Sequence, residues 1–392
     1  MKQMRPLISI IIPTRNRQFY TKNTVKNMVS YNMDLEIIVQ DNSDDNILEK
    51  EFEDYIRDKK IIYNYVDGRI AGVDNYNNAM EFVSGKYICA IGDDDVVLPN
   101  IIDLVQWMEN QNIDIVIPTK ENVYFWPDAR TKNRRDGLLW IRKSSGKKEL
   151  CNTQNGVIQT LKNGGQNYLR SEMACSYHGI VRTDLMRKVK EKTGRYYGGL
   201  SPDIYSATCL SLLPDIRVMK IDFPFTFPGV CPSSTSADSV KGRHIGNLAD
   251  APHFVGLQNK YEWDARVPEI YSVQTIWCET MLHALRKMGR DDLVDDYFNR
   301  KELINQLIRN NPASKDFILS KLSQNDLEEV DLRNIKIKNI ITKIKKRLKK
   351  IIKIMFGRNK YVRNCDNIGK ASKILIAFQK KSTSEILSND FC

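Results

Sequence analysis

Four short apolar runs, each closing on polar residues, constrain the fold of this chain more than any other feature. Leu7-Ile8-Ser9-Ile10-Ile11-Ile12 is rich in β-branched residues and bounded by Pro6 and Pro13, which suits a strand buried on both faces of a parallel sheet. Leu35-Glu36-Ile37-Ile38-Val39, Ile61-Ile62-Tyr63-Asn64-Tyr65 and Tyr87-Ile88-Cys89-Ala90-Ile91 repeat the pattern. Between them, residues 19–30, 47–57 and 73–83 have helical spacing and few breakers. Alternating strands and helices imply an open α/β sheet, whose ligands sit at the carboxyl ends of the strands. That rule selects Pro13-Thr14-Arg15, Asp41-Asn42-Ser43-Asp44-Asp45, Asp67-Gly68-Arg69 and Gly92-Asp93-Asp94-Asp95.

Beyond residue 120 the pattern loosens, with loops expected over 126–148 and at Asn163-Gly164-Gly165, and a turn at Tyr196-Tyr197-Gly198-Gly199. This half would supply the acceptor side. Residues 265–330 have helical spacing again, and after Arg363 a short polar tail carries one apolar run, Ile374-Leu375-Ile376-Ala377-Phe378. The expected division is a catalytic domain over 1–230, a lid loop and helical appendage over 231–330, a basic helix over 331–363 and a tail over 364–392.

The net charge of +12 is local, because 13 Lys and Arg fall between Arg333 and Arg363 without one Asp or Glu. The rest of the chain is close to neutral, which argues against nucleic acid as a general partner. Within the basic run, Ile337, Ile340, Ile341, Ile344, Leu348, Ile351, Ile352 and Met355 form a helical stripe with lysines around it. Such a helix lies in an anionic membrane surface, whereas unbroken isoleucine offers nucleic acid little. No apolar stretch reaches the roughly 20 residues that span a bilayer, so membrane contact is expected to be peripheral. The eight cysteines include no C-x-x-C pair, which fits reduced thiols on the cytoplasmic side.

Three adjacent carboxylates, Asp93-Asp94-Asp95, repel one another unless a cation joins them. A hard divalent ion, Mg²⁺ or Mn²⁺, takes carboxylate and phosphate oxygens together, and would offset the charge developing on a departing diphosphate. An isolated acidic turn is the blander explanation of such a triplet. Three other polar strand ends upstream favour a site.

In order along the chain, Ile8-Ser9-Ile10-Ile11-Ile12-Pro13-Thr14-Arg15-Asn16, then Glu36-Ile37-Ile38-Val39-Gln40-Asp41-Asn42-Ser43-Asp44-Asp45, then Asn78 with Gly85-Lys86-Tyr87, then Ile91 to Pro99 resemble four motifs of the family 2 glycosyltransferases. These are inverting enzymes of the GT-A fold that act in bacterial surface polysaccharide synthesis, such as that of capsule or O-antigen. The resemblance implies a GT-A domain, a nucleotide-sugar donor and a glycan or lipid-linked glycan acceptor. It implies that Pro13, Thr14 and Arg15 border the nucleotide and that Asp41 accepts a hydrogen bond from a uracil edge. Arg69 and Asn78 would flank the diphosphate or base, Asp93 or Asp94 would face the ribose and sugar, and Asp95, with Asp93, would bind the metal. Departures are Gln40 in place of an acid, Arg69-Ile70-Ala71-Gly72 in place of Asn-x-Gly, and Asn77 where Arg is usual.

Inversion needs a carboxylate on the face opposite the leaving group. Asp203 is the candidate, because it follows Pro202 and opens an apolar run at a helix start. Its alternative use is as a plain helix cap. His178 and His244 are lone histidines, of which only His244, beside Lys241 and Arg243, earns a weak place as a metal or phosphate contact. Residues 231–247 would form a lid over the nucleotide. Two readings compete with glycosyl transfer. A nucleotidyltransferase on a similar sheet lacks support because no Gly-rich, Lys-containing loop follows the first strand. A non-catalytic membrane or nucleic-acid adaptor would leave the acidic strand ends without purpose.

Overall fold

The computed structural model describes residues 5–119, 122–129, 137–233, 244–257, 260–330, 359–379 and 383–388. Its centre is an eight-stranded sheet in the order Ile61–Tyr65, Glu36–Asp41, Ile8–Thr14, Tyr87–Ala90, Ile180–Arg182, Ile115–Pro118, Val218–Ile221, Lys148–Leu150. The first four strands run parallel, Ile180–Arg182 is antiparallel to both neighbours, and Lys148–Leu150 closes the far edge antiparallel. The chain is thus a mixed α/β protein with a central, mostly parallel sheet and helices following, as its strand pattern implies.

Side chains of a strand point alternately to opposite faces, and here both faces are covered. Ile11, Ile38, Ile88 and Ala90 enter one core, while Ile8, Ile10, Ile12, Ile37 and Val39 enter the other. All four isoleucines of the first strand are fully buried, which is why that run lacks polar alternation. Each such side chain contributes roughly 1.5–3 kcal/mol. The helix Gln18–Val29 packs on the second core and Gly72–Met80 on the first. Asn75, buried on the latter, donates from Nδ2 to the Thr14 carbonyl (3.1 Å), so a helix ties down the strand end where ligands are expected.

Several sequence expectations change. Residues 126–148, expected as loop, contain the strand Leu138–Arg142 and the start of Lys148–Leu150. Val123–Phe125 and Asn359–Arg363 pair with Leu138–Arg142, one on each side, both antiparallel. Residues 359–363 are therefore strand, not the end of a basic helix, and 331–358 lie outside the described residues. The tail after 363 folds back as the helix Ile368–Phe378, whose Ile368, Ala371 and Leu375 pack with Tyr124, Trp126, Leu139 and Phe227. Spacing of three and four residues puts those three side chains on one face. Asn27 of the first helix donates to Ser372 Oγ (3.2 Å), and Tyr124 Oη donates to the Cys365 carbonyl (2.9 Å). The basic run is thereby flanked by docked chain on both sides.

The helix Val273–Lys287 starts at a capping box between Ser272 and Thr275 and carries a fully buried acid, Glu279. Its Oε2 accepts from the Asp264 amide (3.0 Å). Burial first, then the charge of Asp264, pushes its pKa up to about 7, against hydrogen bonds from the Asp264 amide and Tyr261. An acid whose folded pKa exceeds its unfolded one holds its proton more tightly when folded. Its contribution is present in full below about pH 4.5 and is lost as pH rises through about 7. Wild type is therefore expected to lose about 3 kcal/mol from this group between those limits, and Glu279→Gln to remove that slope in urea titrations run at a series of pH values.

Candidate functional site

The first strand ends at Thr14, and Tyr87–Ala90 runs beside it toward Asp93-Asp94-Asp95, so the triplet comes to the tip of the first strand. Thr14 Oγ1 donates to Asp93 Oδ2 (2.7 Å). Arg17, at the entrance to the first helix, sends Nη1 to Asp93 Oδ1 and Nη2 to Asp94 Oδ2, each at 2.8 Å. Nη2 also donates to Cys231 Sγ (2.9 Å), and the Cys231 amide to Asp94 Oδ2 (3.2 Å). All three aspartates are buried.

Asp95 has donors on both oxygens. Oδ1 accepts from the Gly229 amide (2.8 Å). Oδ2 accepts from the Gly92 amide (2.6 Å) and Tyr177 Oη (2.7 Å), with His178 Nε2 at 3.1 Å. Burial pushes its pKa up, but His178, Tyr177 and the Gly229 amide hold it below the ordinary carboxylate value. For Asp93 and Asp94 burial wins over the pull of Arg17, and both are raised. A Cβ on Gly229 would lie 1.8 Å from the Asp94 carbonyl oxygen, so only glycine lets this strand approach the triplet closely enough to donate.

A cleft of about 880 Å³ takes in Pro13, Arg17, the three aspartates, Tyr177, His178, Tyr168, Asp203, His244, His253 and Trp277. Asp203 stands in the first turn of the helix Pro202–Ser211. Its two oxygens accept from the hydroxyls of Tyr168 and Ser201, and Tyr168 is braced edge-on by Trp277 with ring centroids 5.2 Å apart. Two side-chain hydroxyls hold this carboxylate in one orientation toward a cleft it lines. Burial lowers the pKa of the nearby His253 to about 4, against the charge of Asp203, so its imidazole is neutral at pH 7.

The sequence-derived candidates distribute unevenly. Pro13, Asp93, Asp94, Asp95, Asp203 and His244 line one cleft. Thr14 reaches it through Asp93. Arg15 instead bonds to Asn42 (2.5 Å to its carbonyl oxygen) and Asp44. Asp41 is fully buried, its oxygens taken by the Ser43 amide (2.8 Å), the Ser43 hydroxyl (2.6 Å) and Tyr63 Oη (2.9 Å), so it shapes the loop after its strand. Arg69 is exposed. Asn78 is partly buried, and its neighbours Asn75 and Asn77 make the ties to the Thr14 carbonyl and to the 196–197 turn. His244 stands beside Tyr271, with centroids 6.1 Å apart, and near His253. Among the described residues no group of three or more His, Cys, Asp or Glu is arranged around a metal position. Of the two acids expected to hold the ion, Asp95 has donors on both oxygens, whereas Asp93 Oδ1 accepts no hydrogen bond and meets only the Arg17 guanidinium, so a cation seated there would have to displace Arg17. Residues 234–243 of the expected lid lie outside the described residues.

Sequence reasoning missed Arg17 and Tyr177, and weighed His178 only as a structural or ligand-touching histidine. Arg17 was within reach: three buried acids demand a cation, and it sits two residues past the first strand-end motif.

Residues 9–166 match the model of the family described as Glycosyl transferase family 2. No curated protein sequence matches it. Among solved structures it is similar to S. aureus TarS at 14% identity and TM-score 0.40, covering 85% of this chain and 54% of that one. The chain thus spans about half the length of that neighbour. It is also similar to TarS 1-349 in complex with UDP-GlcNAc (13%, TM-score 0.42, 80% and 83% covered), and in complex with UDP (14%, TM-score 0.42, 85% and 88% covered). Superpositions this loose transfer no residue's role.

Proposed function

We propose that this chain is a glycosyltransferase that moves a sugar from a UDP-linked donor to a hydroxyl of a glycan or lipid-linked glycan of a bacterial surface polysaccharide, with inversion. The observation that carries the reading is Asp203, a carboxylate oriented by two hydroxyls in the cleft that also holds the buried aspartate triplet. In a single displacement the acceptor oxygen forms its bond to the anomeric carbon as the bond to the diphosphate oxygen breaks. Asp203 takes the acceptor's proton, and the negative charge leaves with the nucleotide. The arrangement at Thr14, Arg17 and Asp93–Asp95 supports placing the nucleotide at that part of the cleft. The expected Mn²⁺ or Mg²⁺ would have to compete with Arg17 at Asp93 Oδ1, an oxygen that accepts no hydrogen bond, and no step here passes through such an ion.

We place the enzyme at the inner face of the cell membrane, on the basic run between Arg333 and Arg363. Among the described residues no helix is long and apolar enough to cross a membrane, so contact would be peripheral. A lipid-linked acceptor would then be met at raised local concentration. Each lysine near an anionic surface adds about 1 kcal/mol. Replacing Lys345, Lys346, Lys349 and Lys350 by Glu is therefore expected to weaken sedimentation with phosphatidylglycerol vesicles at least about 100-fold. Unchanged sedimentation would remove the basic run from the account. For the transfer itself, incubation with UDP-sugars and an undecaprenyl-linked glycan extract should release UDP. Absence of UDP release with every donor and acceptor pair would count against the reading.

A further inference from the structure

The charge balance of the aspartate triplet leads beyond the choice of donor. Asp93, Asp94 and Asp95 are 2%, 4% and 1% exposed, and uncompensated carboxylates do not persist at such burial. Compensation comes from the chain itself. Arg17 grips Asp93 and Asp94 at 2.8 Å each, and His178 with Tyr177 and two backbone amides closes the shell of Asp95. A divalent ion on this cluster would have to displace the Arg17 guanidinium from Asp93 Oδ1 and Asp94 Oδ2 and compete with the hydrogen bonds that Asp93 Oδ2 and both oxygens of Asp95 already accept.

The guanidinium is nevertheless incompletely used. Its side chain is 20% exposed and lines the cleft. Its Nε–H is buried with no acceptor among the described residues. A buried donor left unpaired costs roughly 1–3 kcal/mol, and an anionic oxygen entering the cleft is the natural acceptor for a planar, permanently charged fork.

We propose that Arg17 is the resident cation of the nucleotide site: it bridges Asp93 and Asp94 in the free protein and contacts the donor's diphosphate with the same guanidinium, so nucleotide binding needs no divalent ion on this cluster. The inference rests on the nucleotide-sugar reading for its ligand. The half that concerns the free protein stands on geometry alone.

Two titrations on the full chain separate these parts. In the first, Mn²⁺ is added without nucleotide and followed by electron paramagnetic resonance. Wild type should bind it no more tightly than millimolar, while Arg17→Gln, which frees two carboxylates, should bind at least about 10-fold tighter. Tight Mn²⁺ binding by the wild type overturns the resident-cation assignment whatever the donor is. In the second, UDP is titrated by calorimetry in EDTA and in Mn²⁺. Wild-type affinities in the two buffers should agree within about threefold, and Arg17→Gln should lose about 30-fold in EDTA, the worth of one charge-assisted contact. UDP binding to wild type only when Mn²⁺ is present overturns the diphosphate contact. Failure of UDP, GDP and dTDP alike in both buffers overturns the nucleotide reading, and with it the diphosphate contact, while the first titration still decides the charge assignment. Arg17→Lys, which keeps the charge but not the fork, guards against misfolding of the Gln variant. It should exclude Mn²⁺ as wild type does yet bind UDP more weakly.

Discussion

Replacing Asp203 by Asn is expected to lower the rate of sugar transfer about 10³-fold while UDP affinity changes by less than about threefold, because a positioned general base contributes roughly 10²–10⁴. The substitution keeps size and shape at the start of the helix Pro202–Ser211. It also keeps an acceptor toward Ser201 or Tyr168, exchanges the other for an amide donor, and removes the ability to take a proton. Had Asp203 served as a cap for the helix backbone, its oxygens would accept from backbone amides, and Asn would serve nearly as well. They accept instead from two hydroxyls, one of them on the separate turn Tyr168–Arg170. Steady-state transfer rates beside calorimetric UDP binding check the split. Equal loss of both would make Asp203 a structural residue.

The second large effect concerns stability. Asp95→Ala removes the acceptor of the Gly92 and Gly229 amides and of Tyr177 Oη, and the carboxylate that faces His178. Breaking one member of a buried charged set costs about 3–5 kcal/mol. That loss should appear as a lower urea midpoint at unchanged slope. Asp95→Asn retains an acceptor for Gly229 and should lose less. Because the folded pKa of Asp95 lies below its ordinary value, the stability it supplies is present above that value and is lost as pH falls through the folded pKa. The wild-type advantage over Asp95→Asn should therefore shrink at acidic pH.

The sheet was readable because each of its first strands is buried on both faces. Ile8 to Ile12 cannot alternate with polar residues when one core takes Ile8, Ile10 and Ile12 and another takes Ile11. The polar strand ends were readable for the same reason, since Asp93 to Asp95 interrupt an otherwise apolar environment. Partners distant in sequence were not. Nothing local in Tyr177-His178 says that they close the shell of an acid 82 residues earlier. That pairing arises where the backbone at Tyr177 bridges Ala90. Asp41 is a strand-end acid at the expected address whose oxygens, in the free chain, accept from Ser43 and Tyr63, partners that its own strand did not announce. The 359–378 segment was misjudged because its strand is an edge piece and its helix has a narrow apolar face, Ile368, Ala371 and Leu375, that only makes sense once Tyr124 and Leu139 are opposite it.

Calorimetric titration of UDP, with GDP and dTDP beside it, into the wild-type chain shows whether the cleft over Asp93–Asp95 receives a nucleoside diphosphate. Saturable binding of UDP is expected, with the other two weaker. Absence of binding by all three nucleotides, in a protein that unfolds cooperatively, would contradict the nucleotide-sugar reading.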